Sequence, residues 1–440
     1  QMGIPAAEWK KGGYRITTTI NKKAQEAAEA AARRASKTSP MSKLPAHYQA
    51  ALVAVNPKNG RVMAYYGGDN GTGTDFAGMN GDGTGPHAPG STFKIYTLAA
   101  AMRAEIQIES YWDLTKDDDG GRKINNAGRT NIPCGKSCTL EHSTIQSYNV
   151  PFYWISKELG PDKVVQAARD AGIQTMKDTE TGEVHDIAKA DPKSVAPKYF
   201  DNEVGFGQYP VTVLDHANGV ATLANRGLYI KAHFIAKVEQ RNPATGKFDR
   251  VPGTGEKVKS VRKFDEAQID NINSVLKQIP GNIGKGLVGG REAIGKTGTW
   301  ELGPSGNKGD SGDAWMVGAT QQMAAAVWVG TKGARKAIEE RNGNAMGGGG
   351  TPAAIWELFM EKVHKDLNYD RESFAARKDI GDPNSPYPNG VKPQERPTDP
   401  CELLPQSVCR GDGNDDDDDD DDDNNGPAIP TPGFTLRPRD

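Results

Sequence analysis

The chain has 440 residues, room for one large domain or two ordinary ones, and no run of about 18 apolar residues that would cross a membrane. Its near-balanced net charge of -3 hides an unbroken run of nine aspartates, Asp415–Asp423, without which the rest carries +6. That mild basicity suits an anionic substrate or surface. It is too weak for nucleic acid, and no basic stripe with interleaved aromatics accompanies it.

Gln1 is not an initiator methionine, and the first residues are not a secretory signal. The expectation is a chain that continues a longer one, with any membrane anchor in the preceding part. Residues 1–45 read as an N-terminal segment of that kind. Within it, "ITTTINKKAQEAAEAAARRASK" (16–37) predicts a short strand and an Ala-rich helix. The strand-like "YRITTTI" fits either a linker or a strand of the following domain. "AALVAVNPKNGRVMAYYGG" (50–68) predicts a hairpin, two β-rich runs around Pro57 and an Asn59-Gly60 turn. A glycine-rich loop follows, then "PGSTFKIYTLAAAM" (89–102), the start of an apolar helix.

Residues 139–172 are expected to be helical, with Pro161 near a first helical position and Gly172 after a last one. "VTVLDHANGVATLANRG" (211–227) predicts an apolar helix stopped by Gly227. "FDEAQIDNINSVLKQ" (264–278) is amphipathic, with Ile269, Ile272, Val275 and Leu276 on one face. Three β-like runs, 293–300, 312–320 and 324–330, are joined by short loops and should be antiparallel neighbours. Gly347–Gly350 reads as a flexible loop before a last helix, 351–367, capped by Thr351 with Pro352 at its first position. Strands, then helices, then strands and a helix predict an α+β domain at 46–372, a mainly antiparallel sheet with helices on its faces. Residues 373–440 carry the aspartate run, and the last 60 residues hold 11 of the 28 prolines. They read as a mostly disordered tail.

The four cysteines form two close pairs, Cys134 with Cys138 and Cys401 with Cys409, each in loop-like sequence. Two local disulfides in an oxidising compartment are expected. Cys134, Cys138 and His142 lack an evident fourth ligand, so no metal site is assigned, and no cofactor is called for. The seven histidines show no metal-binding spacing and are given structural or surface places.

The lysine of "PGSTFK" is the residue that bland readings explain least. At i and i+3, Ser91 and Lys94 share a helix face. A serine hydroxyl is a poor nucleophile until a base takes its proton, and a buried lysine, made neutral by desolvation, is such a base. The Ser91 N–H at the helix start is also free to stabilise an oxyanion. Alone, Ser-x-x-Lys is common in long proteins. Two further motifs raise its weight: Ser147-Tyr148-Asn149, and Lys296-Thr297-Gly298-Thr299 on a predicted strand.

Together with "TTIN", "DFAGMN", "GFGQYPVTVLDHANGVATLANRG" and "DAWMVGATQQMAAAVWVG", these motifs resemble the transpeptidase domain of penicillin-binding proteins, over roughly residues 14–367. The detail is similar to the class A, bifunctional type of actinobacteria, whose glycosyltransferase domain is not visible here. The resemblance implies the serine-penicillin-recognising fold and D,D-transpeptidation on peptidoglycan stem peptides ending in D-Ala-D-Ala. It implies Ser91 as nucleophile, Lys94 as base, Ser147 as proton relay, and Asn149 as partner of Lys94 and the substrate amide. Lys296, Thr297 and Thr299 would hold the terminal carboxylate, and the N–H groups of Ser91 and Thr299 the oxyanion. Gly298 would let substrate lie close to the strand. β-Lactams would trap Ser91, at the extracytoplasmic face of the cell membrane. Trp300 and Trp315 are expected in packing or as cleft wall. The rivals are a D,D-carboxypeptidase, a β-lactamase-like hydrolase and a non-enzymatic β-lactam sensor or scaffold. Against the hydrolase, no Glu-x-x-Leu-Asn string occurs, and Tyr148 stands where an aspartate would.

Overall fold

The computed structural model describes residues 4–80, 84–126, 133–303, 306–307 and 309–385. From the N-terminus, β1 (Tyr14–Thr18) leads into α1 (Lys22–Ala32), then the hairpin β2 (Tyr48–Val55) and β3 (Val62–Tyr66). A 3-10 turn, Gly90–Phe93, opens into α2 (Lys94–Arg103). Next come α3 (Leu140–Gln146), α4 (Val150–Leu159), α5 (Pro161–Ala171) and α6 (Val213–Ala224). After β4 (Ile235–Arg241) and α7 (Glu266–Leu276), the chain returns to strands β5 (Ile294–Glu301), β6 (Ser311–Ala319) and β7 (Ala324–Thr331), and ends in α8 (Thr351–Asp366).

The central sheet has the order β5-β6-β7-β2-β3, antiparallel throughout. β2, β6 and β7 are buried from end to end. Their sequences are accordingly almost all apolar, because neither face meets water and no polar alternation is needed. Val53, Val55, Val317 and Trp328 face a layer made by α2, α4, α5, α6 and α7. Leu52, Ala54, Met316 and Val327 face α1 and α8. The expected α+β class, antiparallel sheet with helices on both faces, is what forms.

The N-terminal segment joins this architecture. β1 pairs antiparallel with β4 in a small second sheet. Asn21 caps α1 by accepting from Ala24 N–H at 3.2 Å. The Gln25 side chain then bonds both backbone groups of Tyr65, at 2.8 and 3.1 Å, and so covers the open edge of β3. Alanines 24, 27, 28, 31 and 32 bury fully against the sheet and α8, where only a methyl fits. Ala28→Leu is therefore expected to cost about 2 kcal/mol by overpacking. The urea midpoint should fall while the reactivity of Ser91, on the far side of the sheet, is unchanged.

The segment read as the start of a tail also packs. Phe374 is buried, its N–H donates to Glu292 at 2.9 Å, and Asn271 Nδ2 donates to Lys378 O at 2.6 Å. Asp382 N–H donates to Glu105 O at 2.8 Å. Residues 373–385 thus lie on the helical layer, held chiefly through backbone groups that composition does not reveal. Cys401, Cys409 and the aspartate run lie outside the described residues. No helix among the described residues is long and apolar enough to cross a membrane.

Candidate active site

Three chain segments meet at the open edge of β5. The first is the turn carrying Ser91. Gly90 has φ +52°, and its N–H donates to Gly207 O at 2.9 Å. A Cβ on Gly90 would sit 2.5 Å from Thr299 O, and one on Gly207 only 2.0 Å from Gly90 O. Glycine at both positions lets the peptide before Ser91 lie directly on β5. Beneath the turn runs a buried relay. Thr92 Oγ1 donates to Pro89 O at 2.7 Å, His216 Nε2 lies 2.7 Å from Thr92 Oγ1, and Tyr96 OH lies 2.8 Å from His216 Nδ1. Burial lowers the His216 pKa to about 3, so the ring is neutral. It accepts from Tyr96 and donates to Thr92, and every group in the chain is satisfied.

The second segment is the α3–α4 junction. Thr139 caps α3, which ends at Ser147 in the left-handed region, φ +64°. That reversal turns Ser147 and Asn149 toward the cleft and buries Tyr148 among Leu114, Cys138, Val150 and Tyr153. The middle residue of the motif is thus a core residue. The third segment is β5 itself. Lys296 is buried, Thr297 half-buried and Thr299 exposed. Lys296 Nζ donates to Ser147 Oγ at 2.8 Å and to Thr297 O at 3.1 Å.

Lys94 joins the three. Its Nζ lies 2.9 Å from Ser91 Oγ, 2.8 Å from Ser147 O and 2.7 Å from Asn149 Oδ1. Asn149 Nδ2 donates to Asn125 O at 2.6 Å, which fixes the amide with its oxygen toward Lys94. Burial first, and the positive charge of Lys296 second, hold Lys94 well below the usual lysine range. A neutral amine has two hydrogens and one lone pair. Ser147 O and Asn149 Oδ1 can only accept, so they take both hydrogens. The lone pair is left for the Ser91 hydroxyl.

Ser91, Ser147, Asn149, Thr297, Gly298 and Thr299 line a cleft of about 180 Å³, walled by Gln146, Phe206 and Trp300. Among the described residues that line it, none is a carboxylate. Trp300 stacks on Phe206 with centroids 6.1 Å apart and separates the cleft from a larger cavity of about 720 Å³. Trp315 is fully buried and donates to Ala88 O at 2.8 Å.

Two glycine stretches do more than the sequence reading gave them. The Cβ that Gly298 lacks would point at Pro89 O, 2.3 Å away, and at Thr92. The glycine makes room for the nucleophile turn on the helical face of β5, and its backbone also lines the cleft. Gly347–Gly350 is no mere linker either. Gly348 N–H donates to Thr299 Oγ1 at 3.1 Å, and a Cβ there would meet Trp315 O at 2.3 Å. The loop lies flat on the sheet. Cys134 and Cys138 form a disulfide, which removes both as metal ligands beside His142. Sequence reading missed Asn125, Asn126, Phe206 and His216. The glycines of "PGS" and "GFG" were the available signal for close approach at residues 90 and 207.

The family model of the penicillin binding protein transpeptidase domain matches residues 50–348. Penicillin-binding protein 1A of Mycolicibacterium smegmatis is 35% identical over 372 residues, which are 84% of this chain and 43% of that protein. Penicillin-binding protein 1A of Mycobacterium tuberculosis is 34% identical over 377 residues, 84% of this chain and 42% of that one. The chain therefore spans less than half the length of these curated relatives. The solved structure of the PonA1 protein of Mycobacterium tuberculosis in complex with penicillin V superposes with TM-score 0.71 at 30% identity, covering 86% of this chain and 92% of that one.

Proposed function

Because the chain belongs to the penicillin-binding protein transpeptidase family, we propose that it is a serine D,D-transpeptidase that cross-links peptidoglycan stem peptides through an acyl-enzyme on Ser91. The observation that carries this reading is the Lys94 amine, whose two hydrogens are engaged by Ser147 O and Asn149 Oδ1 while Ser91 Oγ stands 2.9 Å away.

In this reading Lys94 takes the Ser91 proton as Oγ attacks the carbonyl of the penultimate D-alanine. The developing oxyanion is held by the N–H groups of Ser91 and Thr299. Lys296 holds Ser147 Oγ as an acceptor, so Ser147 passes its hydrogen to the leaving amine and regains one from the Lys94 ammonium, which leaves Lys94 neutral again. The C–N bond breaks, D-alanine departs protonated, and an ester remains on Ser91. A second stem peptide's amine attacks that ester, gives up a proton to Lys94 and restores the serine. Lys296, Thr297 and Thr299 receive the terminal carboxylate. Asn149 Nδ2 spends one hydrogen on Asn125 O and keeps the other for the substrate amide. The open edge of β5 suits an extended peptide added as a further strand. A β-lactam follows the same first step, and the absence of a lining carboxylate among the described residues favours a long-lived adduct. Such chemistry belongs on the extracytoplasmic face of the cell membrane, where a disulfide such as Cys134–Cys138 persists.

The test is to incubate the protein with a fluorescent penicillin, digest it and follow the adduct by mass spectrometry. A stable adduct on the Ser91 peptide is expected. A D-Ala-D-Ala donor offered together with an amine acceptor should release D-alanine in step with amide formation. Release without amide would make the protein a carboxypeptidase. Rapid turnover of penicillin with no adduct would make it a β-lactamase.

A further inference from the structure

An asparagine at the start of a helix ordinarily folds back to cap its own first turn. Asn149 stands at that position before α4 but makes no side-chain cap. Its amide is committed elsewhere, the oxygen to Lys94 at 2.7 Å and the nitrogen to Asn125 O at 2.6 Å. The cap comes from another segment. Asn126 Oδ1 accepts from the N–H of Asn149 at 2.8 Å and of Val150 at 3.1 Å.

We propose that Asn126 is a positioning residue for the transpeptidation site: it accepts from the N–H groups of Asn149 and Val150 at the start of α4 and so fixes the backbone from which the Asn149 side chain holds Lys94. Two consecutive residues clamp Asn149, Asn126 by its backbone and Asn125 by its side chain. Neither belongs to the three motifs. They reach the site on an excursion between the paired strands Tyr111–Asp113 and Ser137–Thr139, fastened by the buried Ile124 in the cluster that also holds Tyr148 and Val150. If Asn126 Oδ1 is removed, the N–H groups of Asn149 and Val150 lose their acceptor, and the backbone from which the Asn149 side chain reaches Lys94 is no longer held. Lys94 then loses an acceptor that aims its lone pair at Ser91.

The inference rests on Ser91 being the acylated residue, so the adduct is mapped first. Second-order acylation rates with fluorescent penicillin are then measured for wild type, Asn126→Ala and Asn126→Asp, each checked by thermal melting. Asn126→Ala should acylate roughly thirtyfold more slowly, since small misplacements at a reacting centre carry such costs. Asn126→Asp keeps the acceptor and should recover to within about threefold of wild type, the rest of the deficit being the moved pH limb. Among the described residues the charged group facing Lys94 is Lys296 from β5; Ser91, Ser147, Asn149 and Phe152 are uncharged neighbours. A new carboxylate nearby favours the ammonium form, so the acid limb of the Asn126→Asp rate profile should move to higher pH. The discriminating limb is that of Asn126→Ala, which should move to lower pH because the ammonium loses the Asn149 Oδ1 acceptor, whereas a purely structural cap would leave it in place.

Wild-type rates in Asn126→Ala, with the adduct on Ser91, would overturn the inference alone. Equal slowing in Asn126→Ala and Asn126→Asp would overturn it too, because accepting two hydrogen bonds would then not be the role. An adduct mapped away from Ser91 would bring down the functional reading with it. Should Asn126→Ala melt below assay temperature, Asn126→Ser takes its place. Its shorter hydroxyl cannot serve both N–H groups equally, so slowing with intact melting supports the inference and an unchanged rate refutes it.

Discussion

Lys94→Arg is expected to slow acylation of Ser91 by roughly a thousandfold, the range of a lost general base, although it keeps the positive charge. A guanidinium stays protonated at any working pH and has no lone pair to offer. Lys94→Met, which keeps the apolar stem and removes the nitrogen, should do the same. If Lys94 served only as a fixed cation orienting Ser147 and Asn149, arginine would preserve much of the rate, and a loss of less than about tenfold would end the case for a base. The wild-type profile adds a second check. Acylation requires the neutral amine, so the rate should rise with pH through a limb well below the ordinary lysine range, in keeping with the direction set by burial and Lys296. Neither variant can show that limb.

The same lowered pKa has a consequence for stability. In the unfolded chain Lys94 binds a proton up to the ordinary lysine pKa, whereas in the folded chain it is neutral over the interval below that value. The unfolded state therefore binds more protons, and stability contributed by this group rises with pH and is lost as pH falls. Chemical denaturation of wild type and Lys94→Met at several pH values isolates the effect. Wild type should gain on the variant by about 1.4 kcal/mol per pH unit in that interval. A difference independent of pH would mean that Lys94 is charged in both states.

The architecture was largely legible because its signals are local. Apolar runs too continuous for a half-wet sheet marked β6 and β7, Asn59-Gly60 marked the hairpin, and proline and glycine marked the limits of α5. The site was legible because Ser91 and Lys94 are one turn apart and the other two motifs are short. What stayed hidden depends on contacts between distant segments. Asn126 lies 23 residues from Asn149 in an excursion without periodicity. His216 reaches Thr92 across 124 residues, and in the sequence it has only the structural or surface place given to all the histidines. The packing of residues 373–385 escaped because it is made largely by backbone groups, which carry no compositional mark. Gly298 was assigned to the substrate through the family resemblance alone, which gave no sign that Pro89 of the same chain also comes close to it.

That close approach leads to the second large effect. Gly90→Ala is expected to reduce acylation by about two to three orders of magnitude, the scale of losing one oxyanion donor, while Lys94 and its partners Ser147 and Asn149 stay in place. The backbone at Gly90 has φ +52°, which alanine adopts only with strain. The added methyl would also face Thr299 O at 2.5 Å and Thr299 N at 3.1 Å. Those are main-chain atoms of a strand paired with β6 along its whole length, so they cannot give way. The turn must lift off β5 instead, carrying the Ser91 N–H away from that of Thr299. Gly207→Ala presses on the same turn from the other side, through a contact of 2.0 Å with Gly90 O, and touches no ligand-facing atom. Both variants should acylate slowly yet keep the wild-type pH limb, since the base is untouched. That combination separates them from Lys94→Arg, where rate and limb are lost together. If Gly90→Ala acylates within about threefold of wild type while remaining folded, the peptide before Ser91 does not need to lie against β5, and the oxyanion pair assigned to Ser91 and Thr299 must be abandoned.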